Sequence, residues 1–496
     1  MTGRATRHSA ILIAAFAVTS LLNYVFGVAL SWFLSPSQFG VLGVAQSLLL
    51  LAALVVGSGF PWAAAQDLAR AGPTTSTRHR FRAAWTGNFG LGLLLAGCLW
   101  AAYDSGLLEL GPAYRQIIPL IALTTVLLAA RAAINGAARG SYKFAGVAVN
   151  MVSDATLKVG IGLVLVIAGA GVAGVIAGFV LATTATLFHS LWMVKPERLW
   201  SGTGWFDPQV LRVTFPLFLG MIGPALMLNL DILGLKILAP ASQGDQMAGL
   251  YQAVVILART PVFVAQSLTL VLFSYVAKIT ASGNHGGAAT YLKSAIKVWS
   301  RLLLPGALIL ILAPRAALHL FYPEQYQASI LALRIAAAGG LLLALMTLLI
   351  GVFQAEGDRG RPAVIASVAT GAQIVVLLTL VPRLGVNAAA LSLLAAGGIG
   401  AIGMIPMIAS RFQVNLSNFL QSSARYFYRG GIPVLALTIV LLTLPDGGRL
   451  GAFLKLSLAG MLYAIALLGT HLTPSIPRDR PVKHILSQFV NVLMGG

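Results

Sequence analysis

Residues 41–103 read VLGVAQSLLLLAALVVGSGFPWAAAQDLARAGPTTSTRHRFRAAWTGNFGLGLLLAGCLWAAY. Two apolar segments, 41–65 and 84–103, each hold about the 20 residues that an α-helix needs to cross the hydrocarbon core of a bilayer. The polar stretch between them is basic, and its arginines are Arg70, Arg78, Arg80 and Arg82. This part of the chain therefore predicts two membrane-spanning helices that are joined by a basic loop.

The same alternation of apolar segments and basic loops continues along the whole chain. Fourteen segments are long and apolar enough to span a bilayer: 9–34, 41–65, 84–103, 116–135, 144–169, 171–194, 211–237, 247–276, 297–313, 329–354, 363–382, 386–410, 431–445 and 451–472. Every second loop carries most of the 33 Lys and Arg residues, Arg131, Arg139 and Lys143 among them. Because cytoplasmic loops hold the Lys and Arg excess, both termini are predicted to be cytoplasmic.

The composition agrees with an all-α polytopic membrane protein. The chain is 58% hydrophobic and 9% charged, with a mean hydropathy of +0.87, and these values are typical of the membrane class. The net charge of +20 faces anionic lipid headgroups in this topology, so nucleic acid is not a predicted partner. A single cysteine, Cys98, and dispersed histidines predict no metal site and no cofactor.

Similar turn sequences recur at an offset of a little over 200 residues. The pairs are FLSPSQFGVLGVA at 33–45 with ILAP and AGLYQA between 237 and 253, LGPAY at 110–114 with FYPEQY at 321–326, and NGAARG at 135–140 with FQAEG at 353–357. Both sets begin on the same side of the membrane, which predicts a parallel repeat about an axis along the membrane normal.

This repeat predicts five regions. They are a six-helix half at 1–200, a second six-helix half at 201–412, an interfacial linker at 413–430, two further helices at 431–472 and a cytoplasmic amphipathic tail at 473–496. The linker and the tail each place apolar side chains on one helical face near basic residues, a pattern typical of helices that lie on a membrane surface.

The repeated segments also resemble a known family. Asn229-Leu230-Asp231-Ile232-Leu233-Gly234, followed after a loop by Ala248-Gly249-Leu250-Tyr251-Gln252-Ala253, is similar to the helix 7–8 signature of Wzx-type polysaccharide exporters. The turn Ser35–Gly40 and the stretch from Leu320-Phe321 to Arg334-Ile335 resemble the same family. These exporters belong to the multidrug/oligosaccharidyl-lipid/polysaccharide (MOP) superfamily.

The resemblance implies a V-shaped pair of six-helix bundles around a central cavity, working by alternating access. It also implies a flippase, not an enzyme, that moves an undecaprenyl-diphosphate-linked oligosaccharide across the bacterial inner membrane for cell-surface polysaccharide biosynthesis. Membrane lipids would be partners, together with a glycan polymerase or glycosyltransferases. Two alternatives stay within transport: a lipid II-type peptidoglycan precursor flippase and a cation-coupled multidrug exporter. A membrane polysaccharide polymerase or ligase is the alternative of a different class, and it would need a longer periplasmic loop than this chain has.

Charged residues inside apolar segments are the candidate site. A charge at mid-membrane costs roughly 3 kcal/mol on insertion scales, so it normally faces a bundle interior or a water-filled cavity. Arg259 lies well inside the segment 247–276, two residues before Pro261. Its planar guanidinium suits a diphosphate. The alternative is an arginine held by backbone carbonyls that the proline leaves without a donor.

Two acidic residues are candidates for ion coupling. Asp154 and Lys158 are four residues apart and share one helix face, so they either neutralise each other or divide the work, Asp154 binding a proton or sodium ion and Lys158 an anion. Asp231 precedes Lys236 by five residues, and mutual pairing and ion coupling are equally open for it.

The remaining candidates are weaker. Arg334 lies near the start of its segment, where it either snorkels to the headgroups or faces the cavity. Lys455 is expected to snorkel. Gln252 and Asn23 have side chains that hydrogen-bond either sugar hydroxyls or neighbouring helices.

Overall fold

The structure is a computed structural model that describes residues 2–72, 74–194, 205, 207–266, 269, 296, 299–355, 360–411, 440–441 and 448–472. Across these ranges every regular element is a helix. Contacts divide the chain into two compact units, Met1–Gln252 and Ala253–Gly496. The predicted boundary between residues 200 and 201 remains a prediction.

Ten α-helices begin in the first unit. They are α1 (Thr2–Phe33), α2 (Pro36–Gly57), α3 (Phe60–Ala71), α4 (Thr75–Asp104), α5 (Ile117–Gly140), α6 (Phe144–Ile167), α7 (Gly171–Val194), α8 (Pro208–Met227), α9 (Leu230–Leu238) and α10 (Gly244–Ala258). One turn of 3-10 helix, Pro112–Tyr114, lies between α4 and α5.

The second unit continues with α11 (Thr260–Gln266), α12 (Leu304–Leu312), α13 (Pro314–Phe321), α14 (Ile330–Ala355), α15 (Gly360–Leu384), α16 (Val386–Arg411) and α17 (Gly448–Leu472). A π-helical turn, Trp299–Leu303, leads into α12, and a 3-10 turn, Glu324–Ser329, leads into α14.

The all-helical polytopic prediction is confirmed. The described residues hold 9 spans that are long and apolar enough to cross a membrane, and up to 11 if each of two bent helix pairs is one span. The predicted segment 211–237 is divided between α8 and α9, and α17 covers 451–472 without being among the 9. Most of the segment 431–445 lies outside the described residues, so the total of fourteen remains a prediction.

The predicted span 41–65 is broken into α2 and α3. Ser58 ends α2 and donates its hydroxyl to the carbonyl of Val55 at 2.8 Å. Gly59 follows with a φ of 63°, a left-handed conformation that favours glycine. A Cβ on Gly59 would also lie 2.6 Å from Cγ2 of Thr214 in α8. The residue therefore permits both the turn and the close approach of α8.

Two other spans bend at proline. α10 and α11 meet at an angle of 43°, with Arg259 at the break and Pro261 just beyond it, because a proline cannot donate to the preceding turn. α12 and α13 meet at 92°, where Pro314 begins α13.

α2 and α10 cross with their backbones in contact. A Cβ on Gly40 would meet the carbonyl oxygen of Asp245 and lie 2.7 Å from the amide nitrogen of Gly249. In return, a Cβ on Gly249 would meet the carbonyl oxygen of Pro36 and lie 2.9 Å from the nitrogen of Gly40. Neither position has room for a side chain, and both glycines lie in the first two turns of their helices.

The segment Gly174–Gly178 packs as its small-residue spacing predicts. A Cβ on Gly178 would lie 3.0 Å from the amide nitrogen of Gly162 in α6. α6 and α7 are therefore in close contact. One helical turn or more toward the start of α6, polar side chains of the two helices come within hydrogen-bonding distance of each other.

The predicted topology is tested by reporter fusions. We expect fusions at residues 75, 200, 285 and 496 to report cytoplasm, and those at 108, 242 and 320 to report periplasm, because the basic loops alternate along the sequence. Alkaline phosphatase and fluorescent-protein activities measure the two sides. Reversed signals at two or more positions would contradict the topology.

Candidate functional site

Asp154 of α6 is the centre of an ion cluster inside the first unit. Its Oδ1 lies 2.5 Å from Nη1 of Arg131 in α5, and its Oδ2 lies 2.6 Å from Nζ of Lys158. The predicted pairing of Asp154 with Lys158 is thus present, together with a second cation. Asp154 lies ten residues after the start of α6, or roughly 15 Å along the helix axis, so the cluster is deep in the span.

The two cations are held differently. Nη1 of Arg131 donates to Asp154 and also to Oγ1 of Thr186 in α7, 2.5 Å away. Arg131 therefore joins three helices. Lys158 is tied to Asp154 on its own helix, and its Nζ lies 5.5 Å from the ring centre of Phe179. The Lys158 side chain is 22% exposed, against 13% for Arg131.

A second polar layer lies one helical turn nearer the end of the bundle where α5 ends and α6 begins, beside the basic residues Arg139 and Lys143. Nδ2 of Asn150 donates to Oδ1 of Asn135 at 3.0 Å and to Oγ of Ser190 at 2.6 Å, and the Ser190 hydroxyl donates to Oδ1 of Asn135 at 3.0 Å. Nδ1 of His189 lies 3.4 Å from Oδ1 of Asn150. Each of α5, α6 and α7 thus supplies a polar residue to both layers at a spacing of four, which satisfies polar groups where lipid offers none.

Lys236 forms an ion pair, but its partner is not Asp231. Nζ of Lys236 lies 2.7 Å from Oδ1 of Asp245, across the turn between α9 and α10. The hydroxyl of Tyr114 donates to the same oxygen at 3.1 Å, and the Lys236 ammonium lies 5.5 Å from the Tyr114 ring centre. The possible pairing of Asp231 with Lys236 is therefore corrected, because a spacing of five residues places the two side chains about 140° apart around α9.

Tyr114 remains a hydrogen-bond donor in this arrangement. Burial raises the pKa of its phenol well above the ordinary value, and the Asp245 carboxylate raises that pKa further by charge and by hydrogen bonding. The 3-10 turn Pro112–Tyr114 is thereby attached to the start of α10.

Asp231 is completely buried at the start of α9. Its Oδ1 accepts a hydrogen bond from the amide of Ile232 at 2.9 Å, and its Oδ2 accepts one from the hydroxyl of Tyr251 at 2.8 Å. The resemblance singled out both Asp231 and Tyr251, and the structure joins them. The ion-coupling roles of Asp231 and Asp154 remain predictions.

Gln252 contacts a helix rather than open space. Its Nε2 donates to Oε1 of Gln46 in α2 at 3.0 Å, and its side chain packs against Gly43. Asn23 of α1 is exposed, so its side chain is available for a ligand.

Arg259 lies at the break between α10 and α11 and is 6% exposed. Its carbonyl accepts from the amide of Val262 at 2.9 Å, which closes the bend. Gly340 of α14 packs directly on the carbonyl of Ala258, where a Cβ would overlap. The guanidinium is therefore carried on a bend that a neighbouring helix supports.

The two remaining cations differ in surroundings. Arg334 is exposed, and its Nε donates to the carbonyl of Ile311 at 3.0 Å near the end of α12, where a cation is favoured. Lys455 was expected to snorkel and is instead 5% exposed. One side of α17 packs against α13 through Ala452 and Ala459, and this packing covers Lys455.

Sequence reasoning missed Arg131 and Asp245 as site residues. By sequence, Arg131 is counted with the basic residues of the following loop, although it lies inside the predicted span 116–135, and α5 continues nine residues beyond it to Gly140. The apolar residues on both sides of Arg131 were the signal that could have placed it inside the membrane. Asp245 carried no comparable signal, since it follows a loop.

A family of polysaccharide biosynthesis proteins matches residues 5–280 of the chain. A comparison with curated protein sequences gives no match.

Solved structures of similar fold are transporters of the MOP superfamily. An inward-facing multidrug resistance MATE family transporter superposes with a TM-score of 0.63 at 16% identity, covering 81% of this chain and 96% of that one. The outward-facing conformation of such a transporter gives 0.63 at 17%, covering 83% and 95%. A MOP transporter from Pyrococcus furiosus, described as having a binding pocket of reverse polarity that suggests a different function, gives 0.63 at 17%, covering 84% and 96%. At these identities the likeness shows the fold.

Proposed function

Because the chain belongs to the polysaccharide biosynthesis protein family, we propose that it is a flippase for an undecaprenyl-diphosphate-linked oligosaccharide. It moves this substrate from the cytoplasmic to the periplasmic leaflet of the bacterial inner membrane by alternating access. Both termini face the cytoplasm. Glycosyltransferases that build the oligosaccharide and a polymerase that consumes it are the partners that this role requires. No bond is made or broken in the substrate.

The ion cluster around Asp154 carries the proposal. Arg131 and Lys158 supply two positive charges and Asp154 one negative charge, so the cluster has an excess of one positive charge inside the membrane. A buried excess charge is costly unless water or a ligand of opposite charge reaches it. The partial exposure of Lys158 allows that approach. A diphosphate supplies the opposite charge.

Each candidate residue is proposed to act through its own chemistry. Arg259 offers a planar fork that binds two phosphate oxygens at once, whereas Lys158 is a compact charge on a flexible stem. Asn23 and Arg334, which are exposed, are proposed to contact the oligosaccharide, and Gln252 is proposed to do so by exchanging its hydrogen bond to Gln46. Coupling to a proton or sodium gradient is assigned to Asp154 or Asp231.

A multidrug exporter is the second candidate, because MATE family transporters share the fold. A cationic drug needs an acidic site, and the cluster around Asp154 has the opposite polarity. The Pyrococcus furiosus transporter is described as having a pocket of reverse polarity. This description supports the use of the polarity of the binding site, in addition to the fold, as a guide to the function of this chain.

Deletion in the native host tests the function. We expect loss of the protein to leave the lipid-linked oligosaccharide on the cytoplasmic leaflet and to remove the surface glycan. Lys158→Gln is expected to lower export roughly tenfold, since a charge-assisted contact is worth about 1.5–3 kcal/mol. Arg80→Gln is the control, because Arg80 pairs with Asp67 near the loop between α3 and α4. Normal glycan export with increased sensitivity to cationic drugs would favour the second candidate.

A further inference from the structure

Building on the proposed function, we propose that Asp154 is an internal counter-anion. It forms an ion pair with Lys158 until an anionic lipid headgroup takes its place as the partner of the ammonium. The site then accepts only a ligand that brings negative charge of its own. Asp154 acts as a specificity residue in this proposal, without contacting the substrate.

The two oxygens of Asp154 are held with unequal strength. Oδ1 receives Arg131 at 2.5 Å and lies 3.3 Å from the Thr186 hydroxyl, so α5 and α7 both fix it. Oδ2 receives Lys158 at 2.6 Å, from the same helix. Losing Lys158 therefore leaves the carboxylate paired on its Oδ1 side, and no contact between helices has to break.

Lys158 is the cation that can move. Its side chain is the more exposed of the two, and four methylene groups allow the ammonium to swing by rotamer changes alone. The ring of Phe179, 5.5 Å from Nζ, offers a further favourable surface for the ammonium. Arg131 has two partners on two other helices and stays in place.

This geometry makes the ligand's charge decisive. A phosphate oxygen replaces Oδ2 of Asp154 as the partner of Lys158, so the ammonium remains paired inside the membrane. A neutral or cationic ligand that draws Lys158 away from Asp154 would leave the ammonium without an anion, at the cost of an unpaired charge. The same contact that stabilises the empty site therefore opposes the binding of uncharged lipids.

A charge-matched variant tests the idea. In Arg131→Gln/Asp154→Asn one cation and one anion are removed together, so the cluster keeps its excess of one positive charge while Lys158 loses its internal partner. We expect this variant to bind farnesyl diphosphate roughly tenfold more tightly than the wild type, as expected when one charge-assisted contact no longer competes. Lys158→Gln is expected to bind it roughly tenfold more weakly. Binding is measured on protein in nanodiscs, with farnesol as the uncharged probe.

The triple variant Arg131→Gln/Asp154→Asn/Lys158→Gln completes the cycle. The gain in affinity is expected to disappear in it, because the gain comes through Lys158. Equal affinity of the charge-matched variant and the wild type would overturn the counter-anion role, as would a gain that persists without Lys158. Thermal unfolding reports whether each variant is folded. Asp154→Asn alone is the second test if the charge-matched variant is not, and weaker binding by it overturns the proposal.

The outcomes separate this inference from the proposed function. A wild-type preference for farnesyl diphosphate over farnesol without coupling between Asp154 and Lys158 would remove the counter-anion role and leave the flippase proposal standing. No preference between the two probes would contradict both.

Discussion

We expect Gly249→Leu to prevent folded protein from accumulating in the membrane. A Cβ at this position would meet the carbonyl oxygen of Pro36 and lie 2.9 Å from the nitrogen of Gly40. The atoms in the way belong to the backbone of α2, which cannot move aside as the end of a side chain can. Overpacking normally costs about 1–3 kcal/mol, and a clash with a backbone on a crossing of two helices lies above that range.

Fluorescence-detected size-exclusion chromatography and thermal unfolding measure the effect. Gly97→Leu is the matched control, because Gly97 lies within α4 and a Cβ there meets nothing within 4 Å. Gly40→Leu is expected to behave like Gly249→Leu, since each glycine faces the backbone at the other. Normal yield and stability of Gly249→Leu would contradict the backbone contact between α2 and α10.

We expect Arg259→Ala to abolish export while protein abundance stays near that of the wild type. Arg259 lies well inside the apolar segment 247–276 and is 6% exposed. A charge at this depth is costly unless it meets an anion or water, so we expect it to bind the anionic substrate. The bend that carries it is supported by Pro261 and by the packing of Gly340 on the carbonyl of Ala258. The bend is therefore expected to survive the loss of the guanidinium.

Arg259→Lys separates charge from shape. A diphosphate bound by the fork is expected to be exported at a reduced rate by the lysine variant, because a point charge replaces two parallel hydrogen bonds. Arg115→Ala, an exposed arginine on the side predicted to be periplasmic, is the control. Normal export by Arg259→Ala would contradict the diphosphate role. A matching loss of abundance in both Arg259 variants would indicate that the guanidinium holds the bend instead.

The positions of the helices followed from local features, and the partners of the charges did so only where both members of a pair lie on one helix. The apolar segment around residues 144–169 and its flanking turns are sufficient to predict α6, because a span must satisfy its backbone within itself. The pair Asp154 and Lys158 was also predictable, since a spacing of four places both on one face. Arg131 contacts the same carboxylate only through the packing of α5 on α6, which spacing along the chain does not describe.

The partner of Lys236 was also not predictable from spacing along the chain, although it is closer in the sequence. Asp231 is nearer to Lys236 in the sequence than Asp245, and a continuous helix would place Asp245 about 13.5 Å along the axis from Lys236, too far for an ion pair. The chain instead turns after α9 and returns as α10, so Asp245 comes within 2.7 Å. The turn also brings in Tyr114 from a distant segment. Its contribution depends on tertiary structure that no local pattern encodes.

The glycine crossing of α2 and α10 gives those helices freedom of a particular kind. Gly40 and Gly249 occupy corresponding places in the predicted repeat, and each is approached by the other's backbone. At an ordinary helix contact, interlocked side chains resist rotation, because they must change rotamer before the helices can turn. Where α2 and α10 cross, backbone meets backbone, so no side chain at that point resists rotation. The crossing can therefore serve as a pivot, at which one helix rotates against the other without repacking a side chain at the point of contact.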